Sequence, residues 1–151
     1  AAVKLVQRDA TYDPQVDFTP VALVGETPLV LLVSPKFGVN SVQELIAYAK
    51  ANPAKLNFGS SGTGGLQHFA GEMFNYLAGV KIVHVPYKGG AAVITDALAG
   101  NIQVGYGTVL SLRPHFKAGR LRGLGVSTRT RAPSAIRSCA AGLVLSGRIA
   151  A

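Results

Sequence analysis

Leu56-Asn57-Phe58-Gly59-Ser60-Ser61-Gly62-Thr63-Gly64-Gly65-Leu66-Gln67-His68 reads as a short strand, a glycine turn and the opening of a helix. Leu56 to Phe58 has strand character. From Leu66 to Leu77 the apolar residues Leu66, Phe69, Ala70, Met73, Phe74 and Leu77 recur at spacings of three and four, the period of one helical face. A turn into a helix leaves the first backbone N–H groups without intrahelical acceptors, and the aligned peptide dipoles add partial positive charge there. Glycines let a ligand approach the backbone closely, and Ser60, Ser61 and Thr63 add hydroxyls. The guest that suits such a cradle is an anion: a carboxylate, phosphate or sulfate. Taken alone, the segment is equally a plain glycine-rich turn.

Three enzymatic motifs fail here, each at one position. A phosphate-binding P-loop needs Lys directly after its last glycine, and Gly65 stands there. A dinucleotide fingerprint needs a third glycine where the chain has Gln67. A nucleophile elbow around Ser61 needs a closing glycine where the chain has Thr63.

Further along, Ile82 to Val85 reads as a strand and Pro86-Tyr87-Lys88-Gly89-Gly90 as a second glycine turn, before a helix from Ala91 to Leu98. Ile102 to Tyr106 is a third strand, a helix from about Leu110 to Lys117 follows with Pro114 fitting only near its first turn, and Leu121 to Val126 is a strand. Upstream, Val21 to Val24 and Leu29 to Val33 are strand-like, and Leu29 to Val33 is apolar on both faces. Ser41-Val42-Gln43-Glu44 is a capping box that opens a helix with Val42, Leu45, Ile46 and Ala49 on one face, and Asn52-Pro53 stops it. Tyr12-Asp13-Pro14 reads as a turn. Strands alternating with helical crossovers imply an α/β fold with a largely parallel sheet flanked by helices. In such a sheet the loops that follow strand C-termini gather on one edge, where ligands bind. Both glycine turns belong to that edge. His68 fits a packing role as well as a ligand contact, and Lys88 a solvated surface role as well as a binding charge. Tyr87 has the chemistry to stack or donate.

The chain of 151 residues is 48% hydrophobic and 15% charged, which fits one globular domain rather than a disordered segment. No apolar run reaches the roughly 18 residues of a membrane span. The single cysteine, Cys139, excludes an internal disulfide, and His68, His84 and His115 lack metal-ligand spacing, so no metal or cofactor is expected. His84, between Val83 and Val85, reads as structural. The net charge of +8 sits entirely in the last third: residues 1–96 carry seven Lys and Arg against seven acids, and residues 97–151 carry eight and no acid. That uneven distribution weakens a nucleic-acid reading, which remains a minor alternative. The enzymatic alternative is a small α/β hydrolase or phosphate-binding enzyme using the Gly59–Gly65 loop.

Taken in order, these segments resemble the solute receptors of tripartite tricarboxylate transporters, the Bug family. The resemblance is carried by Tyr12-Asp13-Pro14 with Asp17-Phe18-Thr19-Pro20-Val21, Ser41-Val42-Gln43-Glu44-Leu45, and Leu56 to Gly64 with Gln67-His68. It continues through Val83-His84-Val85-Pro86-Tyr87-Lys88-Gly89-Gly90, its most specific part, and Leu121-Arg122-Gly123-Leu124-Gly125-Val126-Ser127. It implies a non-catalytic periplasmic receptor of the type II periplasmic-binding-protein fold, whose two lobes close on a small carboxylate and serve membrane transporter subunits. Residues 12–128 would form the second lobe, with residues 1–11 unassigned. Ser60, Ser61, Gly62, Thr63, Gly64, Gly65 and His68 would form its clamp, with Tyr87, Lys88, Gly89, Gly90 and also Gly107-Thr108 lining the cleft. The first lobe is expected before residue 1, so weak or no binding is expected of this chain alone, and self-association through the exposed inter-lobe face. Residues 129–151 depart from the family pattern, being basic and free of acid. The expectation there is a frame-shifted or foreign tail.

Overall fold

The computed structural model describes residues 11–13, 16–22, 25 and 27–128. Its elements are β1 (Leu29–Val33), a 3₁₀ turn at Pro35–Phe37, α1 (Val42–Ala51), β2 (Asn57–Ser60), α2 (Leu66–Ala78), β3 (Val83–Pro86), α3 (Gly90–Ala99), β4 (Val104–Thr108), α4 (Val109–Lys117) and β5 (Arg122–Val126). The expected tail, residues 129–151, lies outside the described residues.

The five strands form one sheet in the order β3-β2-β4-β1-β5. β2 pairs in parallel with β3 and β4, while β1 pairs antiparallel with β4 and β5. Four strands therefore point the same way, and the first strand is inserted between β4 and β5 against their direction. This mixed sheet is the α/β architecture that the alternation of strands and helices predicts, with its one reversed strand in an interior position.

β1 is buried along its whole length. Side chains of a strand alternate between faces, so β1 feeds both halves of the core. Leu29, Leu31 and Val33 pack with Leu45 and Ala49 of α1 and Phe74 of α2, whereas Val30 and Leu32 pack with Val93 of α3 and Leu112 of α4. Helices thus cover both faces of the sheet.

Several local expectations shift. Val21 and Ala22 carry no regular structure, and Val21 is 97% exposed, so no strand begins there; Leu23 and Val24 lie outside the described residues. The capping box forms with an offset: Ser41 Oγ accepts from Glu44 N at 3.1 Å, but Glu44 Oε2 reaches back to Asn40 N at 2.9 Å, one residue earlier than the usual partner. Pro114 lies well inside α4 rather than in its first turn. Both it and Leu110, whose carbonyl it leaves unbonded, are exposed, so water can take that carbonyl.

The buried face of α2 is also rotated from the one its large apolar residues suggest. Ala70, Gly71, Phe74 and Ala78 are buried, while Leu66 and Met73 are exposed. Small residues win that face because the helix lies close against the sheet. A Cβ on Gly71 would sit 2.2 Å from Phe58 Cε2.

Candidate functional site

β2, β3 and β4 are neighbours with a common direction, so their C-terminal ends open onto the same edge. Each runs directly into a helix: β2 through residues 61–65 into α2, β3 through residues 87–89 into α3, and β4 at Thr108 into α4. The structure therefore brings the two glycine turns and Gly107-Thr108 together. Tyr87 N donates to Ser60 O at 2.9 Å, and a Cβ on Gly62 would lie 3.9 Å from Tyr87 O. A Cβ on Gly90 would lie 4.0 Å from Gln67 Nε2.

The first turn is pinned from beneath. Ser60 is fully buried, and its Oγ lies 2.9 Å from Gly62 O, 3.3 Å from Gly62 N and 2.6 Å from His84 Nε2. A carbonyl only accepts, so the single hydroxyl proton goes to Gly62 O, and Ser60 Oγ accepts from Gly62 N–H and from a protonated His84 Nε2. All three capacities of the hydroxyl are then used. Gly64 N–H donates to His68 Nδ1 at 3.0 Å, which places the proton of neutral His68 on Nε2, 3.8 Å from Glu72 Oε1. The two imidazoles stack with centroids 3.9 Å apart, and His84 stacks in turn on Phe58, its cross-strand neighbour, at 5.0 Å. Burial, together with the neighbouring His68, holds the His84 pKa below the usual histidine range, against a weaker opposing pull from Glu72.

The loop conformation requires glycine at two points, since Gly62 has φ 141° and Gly64 has φ 79°. Gly59 needs the absence of a side chain for another reason. A Cβ there would meet Ile102 Cδ1 at 2.6 Å, Val93 Cγ1 at 2.9 Å and Tyr87 Cε2 at 3.2 Å.

Ser61 N–H donates to Gln67 Oε1 at 2.8 Å. The amides of Ser61, Gly62 and Gly64 are thus taken by side chains of the same segment. Those of Gly65, Leu66 and Gln67 at the start of α2 have no acceptor among the described residues. Gln67 is the residue that the sequence reading left out of the clamp. Its spacing of six from Ser61 becomes meaningful only once the turn is closed.

In the second turn Tyr87 is half-buried. Its OH donates to Asp96 Oδ2 at 2.7 Å, and burial and that carboxylate push its pKa up to about 12. Its side chain therefore braces α3 and packs against the core. Gly89 caps α3 at φ 146°, and Lys88 is exposed beside it. Thr108 Oγ1 caps α4 by accepting from Ser111 N at 3.4 Å. Two exposed leucines flank this edge, Leu66 at 67% and Leu110 at 84%.

The Ser60–His84 pair has the spacing of a nucleophile and its base. Its chemistry is different. Ser60 is closed to solvent, and the carbonyl of Gly62 holds its proton. Among the described residues no three His, Cys, Asp or Glu side chains gather as metal ligands, and no helix is long and apolar enough to cross a membrane.

Comparison with known proteins matches residues 4–140 to the tripartite tricarboxylate transporter family receptor. A UPF0065 protein of Bordetella pertussis is 38% identical over 74% of this chain and 35% of its own length. BugT of the same organism is 33% identical over 76% of this chain and 35% of its own length. The chain therefore spans about a third of the length of these curated relatives. Among solved structures, a periplasmic transporter superposes with TM-score 0.77 at 36% identity, covering 88% of this chain and 45% of the other. An R. palustris protein solved with adipate gives TM-score 0.71 at 38% identity, covering 80% and 40%. These likenesses fit one lobe of a periplasmic-binding-protein fold, and the matching family is one of transporter receptors. By the family match and the fold together, this chain belongs to the tripartite tricarboxylate transporter receptor family.

Proposed function

We propose that the edge formed by residues 61–67, 87–90 and 107–108 receives a carboxylate of a small organic acid, as one half of a two-sided clamp. The observation that carries this reading is the convergence of the two glycine turns, with the amides of Gly65, Leu66 and Gln67, which have no acceptor among the described residues, beside them. Unpaired amides at a helix start favour an anion, and Lys88 adds a positive charge. Within the clamp, Ser61, Gly62, Thr63, Gly64 and Gly65 form the contact surface. Ser60, His68 and Tyr87 hold it in shape, and Gly89 and Gly90 line its far side. The relative solved with adipate supports a carboxylate as the guest.

The setting is the periplasm, and the partners are the membrane subunits of a tripartite tricarboxylate-type transporter. The exposed Leu66 and Leu110 flank the anion edge and are suited to burial when a facing lobe closes, or by self-association when none is present. A half-clamp must offset the entropy cost of binding with about half the contacts, so the 151-residue chain tested alone binds weakly. Calorimetric titration with citrate, malate, glutamate and adipate tests this, with dissociation constants of about 1 mM or weaker expected for one or more of them. Micromolar binding by a monomer contradicts the half-clamp.

A further inference from the structure

We infer that the Gln67 carboxamide is a specificity-determining group of this site, and that it donates to the bound carboxylate from between the two glycine turns. This rests on the carboxylate reading above. Gln67 Oε1 is committed to Ser61 N–H at 2.8 Å, and that bond fixes which end of the amide faces which way. The Nε2 end then faces the second turn, 4.0 Å from where a Cβ of Gly90 would stand. Its N–H groups have no acceptor among the described residues. The nearby acids are engaged elsewhere. Glu72 faces His68, and Asp96 accepts from Tyr87 and Asn101. Among the described residues no carboxylate competes for that donor.

The side chain is therefore a bridge with a fixed polarity. One end holds the first turn in shape, and the other offers donors where the two turns meet. A carboxylate oxygen seated between the turns receives a directed N–H from Gln67 in addition to backbone amides. A neutral carbonyl there gains a weaker bond, and an ammonium, which has no lone pair to accept with, gains nothing.

The polarity also separates this role from simple propping of the loop. In Gln67→Glu a carboxylate oxygen still accepts from Ser61 N–H, but the donor end becomes an anion. The test is an NMR titration of the ¹⁵N-labelled full chain, wild type and Gln67→Glu, with disodium adipate at constant ionic strength. In the wild type, the side-chain NH₂ resonances of Gln67 move together with the loop amides. In Gln67→Glu, the Ser61 amide keeps its hydrogen-bonded shift while adipate affinity falls about tenfold or more, through loss of the charge-assisted bond together with repulsion by the new carboxylate. Affinity within about twofold of wild type overturns the inference, because one step of 1.4 kcal/mol is already tenfold. So does a wild-type titration that moves the loop amides and leaves the Gln67 NH₂ pair still; the carboxylate reading then survives without it. That wild-type measurement decides the matter even where the variant does not fold. If adipate moves no loop amide of the wild type, the carboxylate reading falls and the inference falls with it.

Discussion

Ser60 Oγ lies 2.6 Å from His84 Nε2, a bond that ties the start of the glycine loop to the neighbouring edge strand. The loop thereby takes its shape from the sheet, and its glycines need only permit it. Ser60→Ala leaves the half-buried His84 Nε2–H and Gly62 N–H without their acceptor. The expected loss is about 1–3 kcal/mol, read from the urea midpoint. An unchanged midpoint would mean the pin carries no load.

The burial of His84 also makes stability depend on pH. The His84 pKa is lowered in the folded protein, chiefly by burial, so between that value and about 6.5 the unfolded chain binds more protons than the folded one. Stability is then fully present above about pH 6.5 and declines as pH falls toward the lowered value, where the dependence flattens. Urea unfolding between pH 7.5 and about 5 should show this decline, and His84→Gln should reduce its slope. A slope of the opposite sign, or one untouched by His84→Gln, contradicts the assignment.

Gly71 and Phe58 mark the closest approach of α2 to the sheet. A Cβ at Gly71 would stand 2.2 Å from Phe58 Cε2, inside any tolerable contact, and the ring is fully buried. Gly→Ala in a helix ordinarily gains up to about 1 kcal/mol, but overpacking costs about 1–3 kcal/mol and prevails here. Gly71→Ala should lower the melting temperature, and Phe58→Leu in the same chain should recover part of the loss. Additive effects of the two changes would show that the residues do not press on each other.

Ser34 offers the opposite sign. It is buried, and its Oγ has no hydrogen-bond partner among the described residues. Removing a buried unsatisfied hydroxyl releases its desolvation penalty, so Ser34→Ala should be neutral or stabilising by up to about 1–2 kcal/mol in urea unfolding. A clear loss of stability would reveal a hydrogen bond at that hydroxyl.

The sequence exposes the site's outline better than its interior. Strand, glycine turn and helix are local patterns, so residues 56–68 and 82–98 are placed correctly to within a residue or two. The Ser60–His84 bond and the Gln67–Ser61 bond are not local in that sense. The first needs β2 beside β3, and the second needs a closed turn. The reversed β1 escapes for the same reason, because both of its partners, β4 and β5, come much later in the chain. On α2 the three-four spacing marks two overlapping faces, and it does not say that Ala70, Gly71 and Ala78 pack inward while Leu66 and Met73 stay out. Close approach to Phe58 decides that, and only the tertiary structure holds it.

Amide shift mapping of the ¹⁵N-labelled chain during titration with malate, against sodium chloride at matched ionic strength, locates the organic-acid site. Malate-specific shifts should concentrate at residues 61–67, 87–90 and 107–108, with the amides of Gly65, Leu66 and Gln67 moving most. Shifts reproduced by chloride, or concentrated around Arg113, Lys117 and Arg120 instead, would contradict the account.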